Sequence, residues 1–420
     1  MNPKKIIIIG GGFAGLNAAK ALKNAPVDIL LIDKTNHHLF QPLLYQVASA
    51  ALSPGEIAIP IREVLRKQSN VTVVMGNVTS IDKEKKKVHL SHQEEYSYDY
   101  LIVSPGARHS YFGHDAWEEF APGLKTVQDA LKIRESILLS FEKAECTESL
   151  EEREKYLNFI IIGGGPTGVE MAGAIAEISR QTLRKNFRKI NPEKAKIYLI
   201  EAAPRILPMY PESLSLRAKR DLEKLGVTVL EGAKVIDVSS NGVQIEKGFF
   251  SSHNVLWAAG NQASSLLKTL NVPLDRQGRV IVKSDLSLPD DDSIFVIGDA
   301  ACVLGKDQKP LPSIAPVAIQ QGKYVAKLLS NFEKERRPFS YFDKGSMATI
   351  GRGKAIVSVG KLKFTGIFAW LMWCFVHIAY LIGFRNRLSV MIEWIFCYLT
   401  GKRGSRLIYG EKQDISSIKE

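Results

Sequence analysis

The chain has 420 residues, a length that allows two or three domains, and an apolar fraction of 45%, which is ordinary for a folded protein with a sizeable core. Its 56 lysines and arginines against 44 acidic residues give a net charge of +12. Such a balance suits nucleic acid, an anionic membrane surface or acidic ligands. Because the basic residues are spread along the chain and no zinc-ligand cluster is evident, we expect neither nucleic-acid binding nor a bound metal.

The chain opens with a predicted buried strand and a glycine-rich loop. Four isoleucines at residues 6–9 precede Gly10-Gly11-Gly12-Phe13-Ala14-Gly15, and an alanine-rich helical pattern follows. In such a unit the first glycine makes a tight turn, the second admits a pyrophosphate and the third lets the helix pack on the strand. Asp33, at the end of the next apolar strand, can accept hydrogen bonds from an adenosine ribose. The pattern predicts a dinucleotide site at the positive end of the first helix.

The same pattern returns in the middle of the chain. Residues 159–162 are apolar and lead into Gly163-Gly164-Gly165-Pro166-Thr167-Gly168, again followed by a helical pattern. Glu201 closes the second strand of this unit, and a long helix running through Arg180 to about Arg188 would explain the wide spacing. An acid at this position repels a 2′-phosphate, which favours NADH, although Arg205 keeps NADPH as an alternative. Two turns without any nucleotide are the simpler alternative, but the repeated strand, glycines, helix and acid argue against it.

Later segments of the chain also end in glycine. Residues 100–106 and 254–260 share a strand-to-glycine pattern, which indicates an internal duplication. Residues 293–300 form another apolar strand that ends in Gly298-Asp299, where the carboxylate can hold sugar or ribityl hydroxyls or can cap a helix. A helix from about Ala315 would present its N-terminal dipole to the negative charge of a reduced flavin ring.

The four cysteines, Cys146, Cys302, Cys374 and Cys397, are far apart in sequence. They form no C-x-x-C motif, and flavoproteins that reduce disulfides need two close cysteines. We expect Cys302 to be a small buried core residue. Electrons must therefore leave a bound flavin by another route.

Three further segments resemble a known family. Residues 37–48, with the sequence His-His-Leu-Phe-Gln-Pro-Leu-Leu-Tyr-Gln-Val-Ala, and residues 109–115 and 121–126 are similar to type II NADH:quinone oxidoreductases. These are non-proton-pumping respiratory dehydrogenases of the two-dinucleotide-binding flavoprotein superfamily, and the resemblance covers nearly the whole chain. It implies an α/β fold of two Rossmann-like domains with a C-terminal helical membrane-association segment. It also implies hydride transfer from NADH to N5 of FAD and then transfer of two electrons to a membrane quinone.

The motifs and the resemblance together assign ligand contacts. The predicted FAD contacts are Gly10, Gly12, Phe13, Ala14, Gly15, Asp33, Lys34, Gln41, Pro42, Leu43, Val78, Ser104, Gly106, Gly298, Asp299, Ala315 and Ala318. The predicted NADH contacts are Gly163, Gly165, Pro166, Thr167, Gly168, Glu170, Glu201, Ala259 and Gly260. The predicted quinone contacts are Gln46, Pro316, Gln320 and Gln321.

Two residues, Glu170 and Gln320, are predicted to act in the reaction. Glu170 matches a family acid near nicotinamide and flavin, and a favourable charge in a first helical turn is the alternative. The family's quinone signature is Ala-Gln-x-Ala-x-Gln, but Pro316 stands at the first glutamine and Gln320 alone matches. Gln321 or Gln46 could substitute for the missing glutamine. A plain helix-surface position is the alternative for Gln320.

The C-terminal part is strongly apolar. In the first apolar stretch, residues 366–384, the ionisable side chains are His377, Tyr380 and Cys374. Glu393 interrupts a second apolar stretch, residues 388–399. The first stretch just reaches the length of a spanning helix, and the second is too short. We favour two helices in the membrane interface, with tryptophans at headgroup level and flanking basic residues, Arg403 among them, on anionic lipid. A single spanning helix and a buried soluble helix are the alternatives.

These expectations combine into one organisation. The predicted domains are an FAD-binding part at 1–115, a helical connector at 116–155, an NADH-binding domain at 156–268, a second FAD-binding part at 269–345 and a membrane-anchoring domain at 346–420. The N-terminus shows no secretion signal, so we expect a peripheral protein on the cytoplasmic face of the cytoplasmic membrane, with a homodimer as a candidate assembly. The alternative functions are a sulfide:quinone oxidoreductase-like flavoenzyme, a soluble ferredoxin-type reductase and a non-enzymatic, NADH-sensing membrane flavoprotein.

Overall fold

The computed structural model describes residues 3–331 and 336–408, so the parts of the predicted domains at 1–2, 332–335 and 409–420 lie outside the described residues. The chain forms two compact units. The first unit comprises the described residues of Met1–Leu39, Ala58–Arg108 and Asn261–Lys344, and the second comprises those of Phe40–Ile57, His109–Gly260 and Gly345–Glu420.

The strands and helices of the described residues follow in chain order. The strands are β1 (Lys4–Ile9), β2 (Val27–Asp33), β3 (His37–Leu39), β4 (Ala58–Pro60), β5 (Val71–Met75), β6 (Val78–Asp82), β7 (Lys87–Leu90), β8 (Glu95–Ser97), β9 (Tyr100–Val103), β10 (Ala107–His109), β11 (Asn158–Ile162), β12 (Lys196–Glu201), β13 (Val227–Glu231), β14 (Val235–Ser239), β15 (Gly242–Ile245), β16 (Gly248–Ser251), β17 (Asn254–Trp257), β18 (Asn261–Ala263), β19 (Val280–Ile281), β20 (Ile294–Val296), β21 (Ala301–Cys302), β22 (Ser346–Gly351), β23 (Lys354–Val359) and β24 (Leu362–Thr365). The helices are α1 (Phe13–Ala21), α2 (Leu44–Ala48), α3 (Pro54–Ile57), α4 (Ile61–Leu65), α5 (Val127–Cys146), α6 (Leu150–Leu157), α7 (Pro166–Glu177), α8 (Glu212–Lys224), α9 (Ala315–Leu329), α10 (Gly366–Tyr380) and α11 (Phe384–Thr400).

The first unit is built on a parallel sheet in the order β20-β9-β1-β2-β5. Ile7 and Ile9 of β1 belong to a buried cluster shared with the antiparallel sheet β6-β7-β8, whereas Ile8 faces α1. Both faces of β1 are therefore covered, which explains its unbroken isoleucine run. Helix α9 packs closely on α1, because Gly322 has no side chain where a Cβ would lie 2.2 Å from the carbonyl oxygen of Ala14.

The second unit repeats this plan around a parallel sheet in the order β13-β12-β11-β17. Ile160 and Ile162 of β11 pack with Trp257 and with Val243 of the antiparallel sheet β14-β15-β16. The long helix α7 lies on β22, where a Cβ on Gly173 would be 1.8 Å from the carbonyl oxygen of Ile350. Two parallel sheets, each with its own antiparallel sheet, agree with the predicted internal duplication.

The predicted helix through Arg188 is wrong. Helix α7 ends at Glu177, a π-helical turn covers Ile178–Thr182, and turns follow. Lys185 has a φ of 62°, in the left-handed region that interrupts a right-handed helix. The wide spacing to Glu201 is therefore filled by this π-turn, the following turns and a short 3₁₀ helix at Pro192–Lys194.

Two other segments also differ from expectation. Residues 37–46, predicted as a loop, contain β3, a 3₁₀ helix at Gln41–Leu43 and the start of α2. Residues 40–57 group with the second unit rather than with the first FAD-binding part, because α2 packs on α5 and α7. The charged connector contains α5, whose capping box at Thr126 and Asp129 starts a helix that buries Phe141. Helix α5 is thus part of a core.

The C-terminal region begins with the antiparallel sheet β22-β23-β24 and continues into α10 and α11. Helix α10 ends at Tyr380, short of the full apolar stretch to residue 384, and Arg387 donates hydrogen bonds to the carbonyl oxygens of Ala379 in its last turn and of its C-cap Leu381. Among residues 3–331 and 336–408, no helix combines the length and the apolarity needed to cross a membrane.

Candidate active site

The first glycine loop has the geometry of a dinucleotide site. Gly10 has a φ of 95°, and a Cβ there would lie 2.2 Å from the carbonyl oxygen of Ser104. A Cβ on Gly15 would lie 1.9 Å from the carbonyl oxygen of Gly10, so both positions require glycine. A Cβ on Gly12 would meet no heavy atom within 4 Å, which leaves open space at the start of α1. A pyrophosphate fits this space, because the first N–H groups of a helix have no intrahelical partner.

Asp33 fixes this loop from the end of β2. Its Oδ2 accepts a hydrogen bond from the backbone N–H of Gly11 at 2.6 Å, and its Oδ1 accepts from the N–H of Thr35 at 2.7 Å. The hydroxyl of Ser104 donates to the carbonyl oxygen of Ile9 at 2.8 Å and so joins the ends of β1 and β9. The loop is therefore held in shape by the protein itself.

The other predicted FAD contacts in the first unit lie on several elements. Gly298 has a φ of 71°, in the left-handed region that favours glycine, and a Cβ there would be 3.2 Å from the Ala14 side chain and 3.7 Å from that of Ala318. Asp299 lies in a short 3₁₀ helix and Ala315 begins α9, whereas Val78 is buried and Gly106 borders open space. Phe13 begins α1 and Lys34 is exposed after β2. Gln41, Pro42 and Leu43 form the 3₁₀ helix of the second unit, where the Gln41 Nε2 donates to the carbonyl oxygen of Lys125 at 3.3 Å.

The second glycine loop repeats the backbone geometry and the carboxylate hydrogen bonds of the first. Gly163 has a φ of 111°, and a Cβ on Gly168 would lie 1.8 Å from the Gly163 carbonyl oxygen. Glu201 Oε2 accepts from the N–H of Gly164 at 2.5 Å, and Oε1 accepts from the N–H of Ala203 at 2.7 Å. A Cβ on Gly165 would again meet no heavy atom within 4 Å. A second dinucleotide therefore fits here.

The remaining predicted NADH contacts surround this loop. Pro166 and Thr167 begin α7, and Ala259 and Gly260 follow β17 with Gly260 at a φ of 70°. Arg205 donates to the carbonyl oxygens of Pro208 and Tyr210 at 3.0 and 2.9 Å. Because these bonds occupy the guanidinium, they support NADH over NADPH.

An open cavity lies within the second unit, between α2, α7, the β22-β23 hairpin and the C-terminal helices α10 and α11, with about 770 Å³ of empty space that includes open solvent. Glu170 lines it from the second turn of α7. Burial raises the pKa of Glu170 to about 8, against the opposing effect of a hydrogen bond from the backbone of Thr349. Glu170 is therefore mainly protonated at neutral pH. The alternative of a charge that stabilises a first helical turn does not apply, since the first turn of α7 holds no acid.

Gln46 lies buried in the same cavity and is held on two sides. The indole N–H of Trp394 donates to its Oε1 at 2.7 Å, and its Nε2 donates to the hydroxyl oxygen of Tyr45 at 2.8 Å. Burial raises the pKa of Tyr45 well above its usual value, and the nearby Glu170 adds to this effect. Two polar side chains thus join Glu170 in a cavity whose lining also includes Trp370, Trp373 and Tyr398.

Three comparisons with known proteins bear on this geometry. The model for pyridine nucleotide-disulphide oxidoreductases matches residues 4–322, and the model for the NDH2 C-terminal domain matches residues 344–403. The type II NADH:quinone oxidoreductase Ndh of Mycobacterium tuberculosis is 48% identical over 96% of this chain and 90% of its own length. The chain belongs to the type II NADH:quinone oxidoreductase family. This result confirms the predicted family and the predicted α/β fold.

Solved structures agree on the fold. NDH2 of Plasmodium falciparum, in complex with NADH, has a TM-score of 0.88 at 23% identity and covers 97% of this chain and 100% of its own. The sulfide:quinone oxidoreductase of Aquifex aeolicus has a lower TM-score of 0.73 at 15% identity, with 95% and 92% covered. The fold is shared with both, and the family assignment rests on the sequence matches.

The cysteines do not favour the sulfide-oxidising alternative. Cys374 and Cys397, distant in sequence, both line the cavity. Burial raises the pKa of Cys374 to about 12 and also raises that of Cys397, which keeps both as thiols. Cys302 is buried as predicted, and burial raises its pKa too. Thiols of this kind are poor nucleophiles.

The predicted quinone contacts divide between the two units. Gln46 lines the cavity of the second unit, whereas Pro316, Gln320 and Gln321 lie on α9 of the first. Gln320 is paired with Phe342, donating to its carbonyl oxygen and accepting from its N–H, each at 2.9 Å. Gln321 is buried and accepts from the N–H of Gly298 at 2.6 Å. Gln320 keeps one N–H for a ligand, and Gln321 supports the predicted FAD site.

Some cavity residues contradict the membrane prediction in detail. Arg403, predicted to contact lipid, is buried and forms an ion pair with Glu177 at 2.9 Å, and it also donates to the carbonyl oxygen of Ser49 at 2.6 Å. The buried carboxylate of Glu177 on α7 is thus the anionic partner of the Arg403 guanidinium, in place of a lipid headgroup. Trp373 is 2% exposed, which contradicts a position at headgroup level, whereas Trp394 is half-buried and also lines the cavity. Sequence reasoning missed Tyr45, Glu177 and Arg403 as cavity residues because their partners are distant in sequence.

Proposed function

We infer that the chain oxidises NADH with a quinone through bound FAD, without pumping protons. The observation that carries this function is the 48% identity of the chain to a type II NADH:quinone oxidoreductase over 90% of that protein. The two matching glycine loops agree with it. When bound, FAD accepts a hydride at N5 and supplies two electrons to the quinone. The protein contributes binding, orientation and control of protons.

The two glycine loops would hold the two nucleotides. Gly12 and Gly165 leave room for a pyrophosphate at the starts of α1 and α7. Asp33 and Glu201 each accept a hydrogen bond from a backbone N–H of their loop, which supports a role for each carboxylate as an acceptor for an adenosine ribose. The negative charge of Glu201, with Arg205 bound to its own loop, disfavours a 2′-phosphate.

Reduction of a quinone to a quinol requires two electrons and two protons, and Glu170 supplies a protonated carboxyl group inside the cavity. A pKa of about 8 keeps its proton available at neutral pH. Gln46 and Tyr45 beside it offer polar contacts for a quinone carbonyl. Gln320 stays a predicted quinone contact through its remaining N–H.

We also propose that α10 and α11 bind a membrane surface peripherally. Their exposed apolar side chains include Phe368, Phe375, Phe384 and Leu399, each at least 73% exposed. Such a patch fits the apolar side of an anionic bilayer interface. Alkaline carbonate extraction tests this: release into the supernatant supports peripheral binding, and retention in the pellet contradicts it. The side of the membrane that the protein faces and the homodimer stay predictions. Sedimentation in detergent tests the homodimer.

An anaerobic titration tests the enzymatic function. Addition of NADH to the purified flavoprotein should bleach the flavin absorbance, and a quinone added next should restore it. Bleaching by sulfide instead of NADH would indicate the sulfide-oxidising alternative. Bleaching by NADH without restoration by benzoquinones or naphthoquinones would indicate an NADH sensor.

A further inference from the structure

One tryptophan in the cavity has an unused hydrogen-bond donor. The indole nitrogen Nε1 of Trp373 is buried without a hydrogen-bond partner in the part of the chain that the structure describes, and its side chain is 2% exposed. A buried donor left without an acceptor costs about 1–3 kcal/mol, and native proteins seldom keep one without a reason. Phenylalanine would fill this position without that cost.

The ring of Trp373 cannot readily turn to find another acceptor. It stacks on His377 at a centroid distance of 4.0 Å and packs on Trp394 at 5.3 Å. His377 is itself held by a 2.7 Å contact between its Nδ1 and the Trp373 carbonyl oxygen. Both neighbours therefore limit how far the ring can turn, and the N–H, which has almost no accessible surface, becomes available to a ligand only when the side chains around it shift.

Trp394 provides an internal contrast. It lies on the same cavity, but its N–H is used by Gln46 at 2.7 Å. Because Gln46 in turn donates to Tyr45, the phenolic proton of Tyr45 is left to donate elsewhere. The Glu170 carboxyl group is protonated and can also donate. The cavity thus offers donors, and a ligand with carbonyl acceptors on a flat apolar ring matches them.

We propose that the indole N–H of Trp373 donates a hydrogen bond to a carbonyl oxygen of the quinone in this cavity. This inference rests on the proposed function, since it names a residue that binds the same substrate. The stacked rings of Trp373 and His377 position the donor, and the bond favours the correct orientation of the quinone. Trp373 is then a substrate contact and not only a packing residue.

The test compares three proteins with ubiquinone-1 as the probe. In W373F the kcat/KM for ubiquinone-1 should fall about tenfold, as expected for one lost N–H···O=C bond. The rate of flavin reduction by NADH should stay unchanged. The control is W117F, which makes the same substitution at a similarly buried tryptophan whose N–H binds Asp237 at 3.1 Å. Its kcat/KM for ubiquinone-1 should stay within twofold of wild type.

A second variant separates the lost N–H from the lost ring volume. Benzothienylalanine at position 373 keeps a bicyclic ring but carries sulfur in place of N–H, so it should reproduce the tenfold loss. The infrared carbonyl band of bound ubiquinone-1 should also shift upward in this variant, towards its position in apolar solvent. Wild-type kcat/KM with an unshifted band in this variant would overturn the proposal, as would equal losses in W373F and W117F. If wild type itself does not reduce ubiquinone-1, the proposed function fails instead.

Discussion

Helices α1 and α7 begin in loops with the same hydrogen bonds, but their surfaces differ beyond the first turn. The residues of α1 are small or apolar apart from Asn17 and Lys20, and Gly322 of α9 packs against its backbone. Helix α7 is longer and directs Glu170 and Glu177 towards the cavity of the second unit.

The difference shows how one motif can be used for two purposes. The first loop is predicted to hold a nucleotide, and α9 packs on the helix that follows it. The second loop, which has the same geometry, is also predicted to hold a nucleotide, while α7 continues past it to form one wall of the cavity. A duplicated nucleotide loop therefore does not imply a duplicated function for the helix that follows.

The largest expected effects come from the third glycine of each loop. In G15A and G168A the new Cβ would lie 1.9 and 1.8 Å from backbone carbonyl oxygens, which cannot move without opening the loop. We expect each variant to lose at least about 3 kcal/mol of stability. Thermal unfolding measures this loss of stability in both variants. The ratio of flavin to protein should also fall in G15A. Wild-type stability in either variant would contradict the loop geometry.

G12A and G165A provide the matched controls, because a Cβ at either position meets no protein atom within 4 Å. Cofactor-free protein should unfold as wild type does in both. G12A should retain less FAD, and G165A should be reduced more slowly by NADH. Full FAD retention in G12A would mean that the first loop does not hold the flavin pyrophosphate.

A buried ion pair joins Glu177 of α7 to Arg403. In R403M the carboxylate of Glu177 keeps the N–H of Arg352 but loses its cationic partner. We expect a loss of about 3 kcal/mol in urea unfolding, because an unpaired buried charge remains. The double variant E177Q/R403M should lose less than the sum of the two single variants, and simple additivity would show that the pair is not coupled.

Glu170 should make stability depend on pH. Its pKa is about 8 in the folded protein, above the usual glutamate value of 4.5, so between these values the folded state binds more protons than the unfolded state. Stability should therefore fall as pH rises through this window, by up to about 1.4 kcal/mol per pH unit from this group. Thermal unfolding between these limits should show a shallower decline in E170Q. Identical slopes in both proteins would place the Glu170 pKa near its ordinary value.

The smallest expected effect concerns the choice of nucleotide. E201Q keeps an oxygen for the Gly164 N–H but removes the charge that repels a 2′-phosphate. The preference for NADH over NADPH, measured as a ratio of kcat/KM values, should fall roughly fivefold, for about 1 kcal/mol of repulsion. D33N is the matched control in the first loop and should leave this ratio unchanged. An equal change in D33N would mean that the two loops are not divided between FAD and NADH.

Local pattern was sufficient to predict much of this molecule. The isoleucine runs before Gly10 and Gly163 predicted the two parallel sheets, because a strand covered on both faces must be apolar throughout. The glycine spacings and the acids Asp33 and Glu201 predicted both loops, since a tight turn and a close helix leave no room for a Cβ. The helix after Gly168 was predicted too long, because nothing in its composition marks the left-handed Lys185.

The sequence by itself determined the two nucleotide loops, the α/β fold and the family, since each depends on residues close together in the chain. Tertiary structure alone decided that Arg403 is paired with Glu177, 226 residues away, and that Gln46 is held by Trp394, 348 residues away. It also decided that Trp373 is buried in a cavity rather than exposed at a membrane surface. An apolar or basic residue has the same local pattern in either setting, and only the packing of α10 on the β22-β23-β24 sheet and of α11 on α3 distinguishes them.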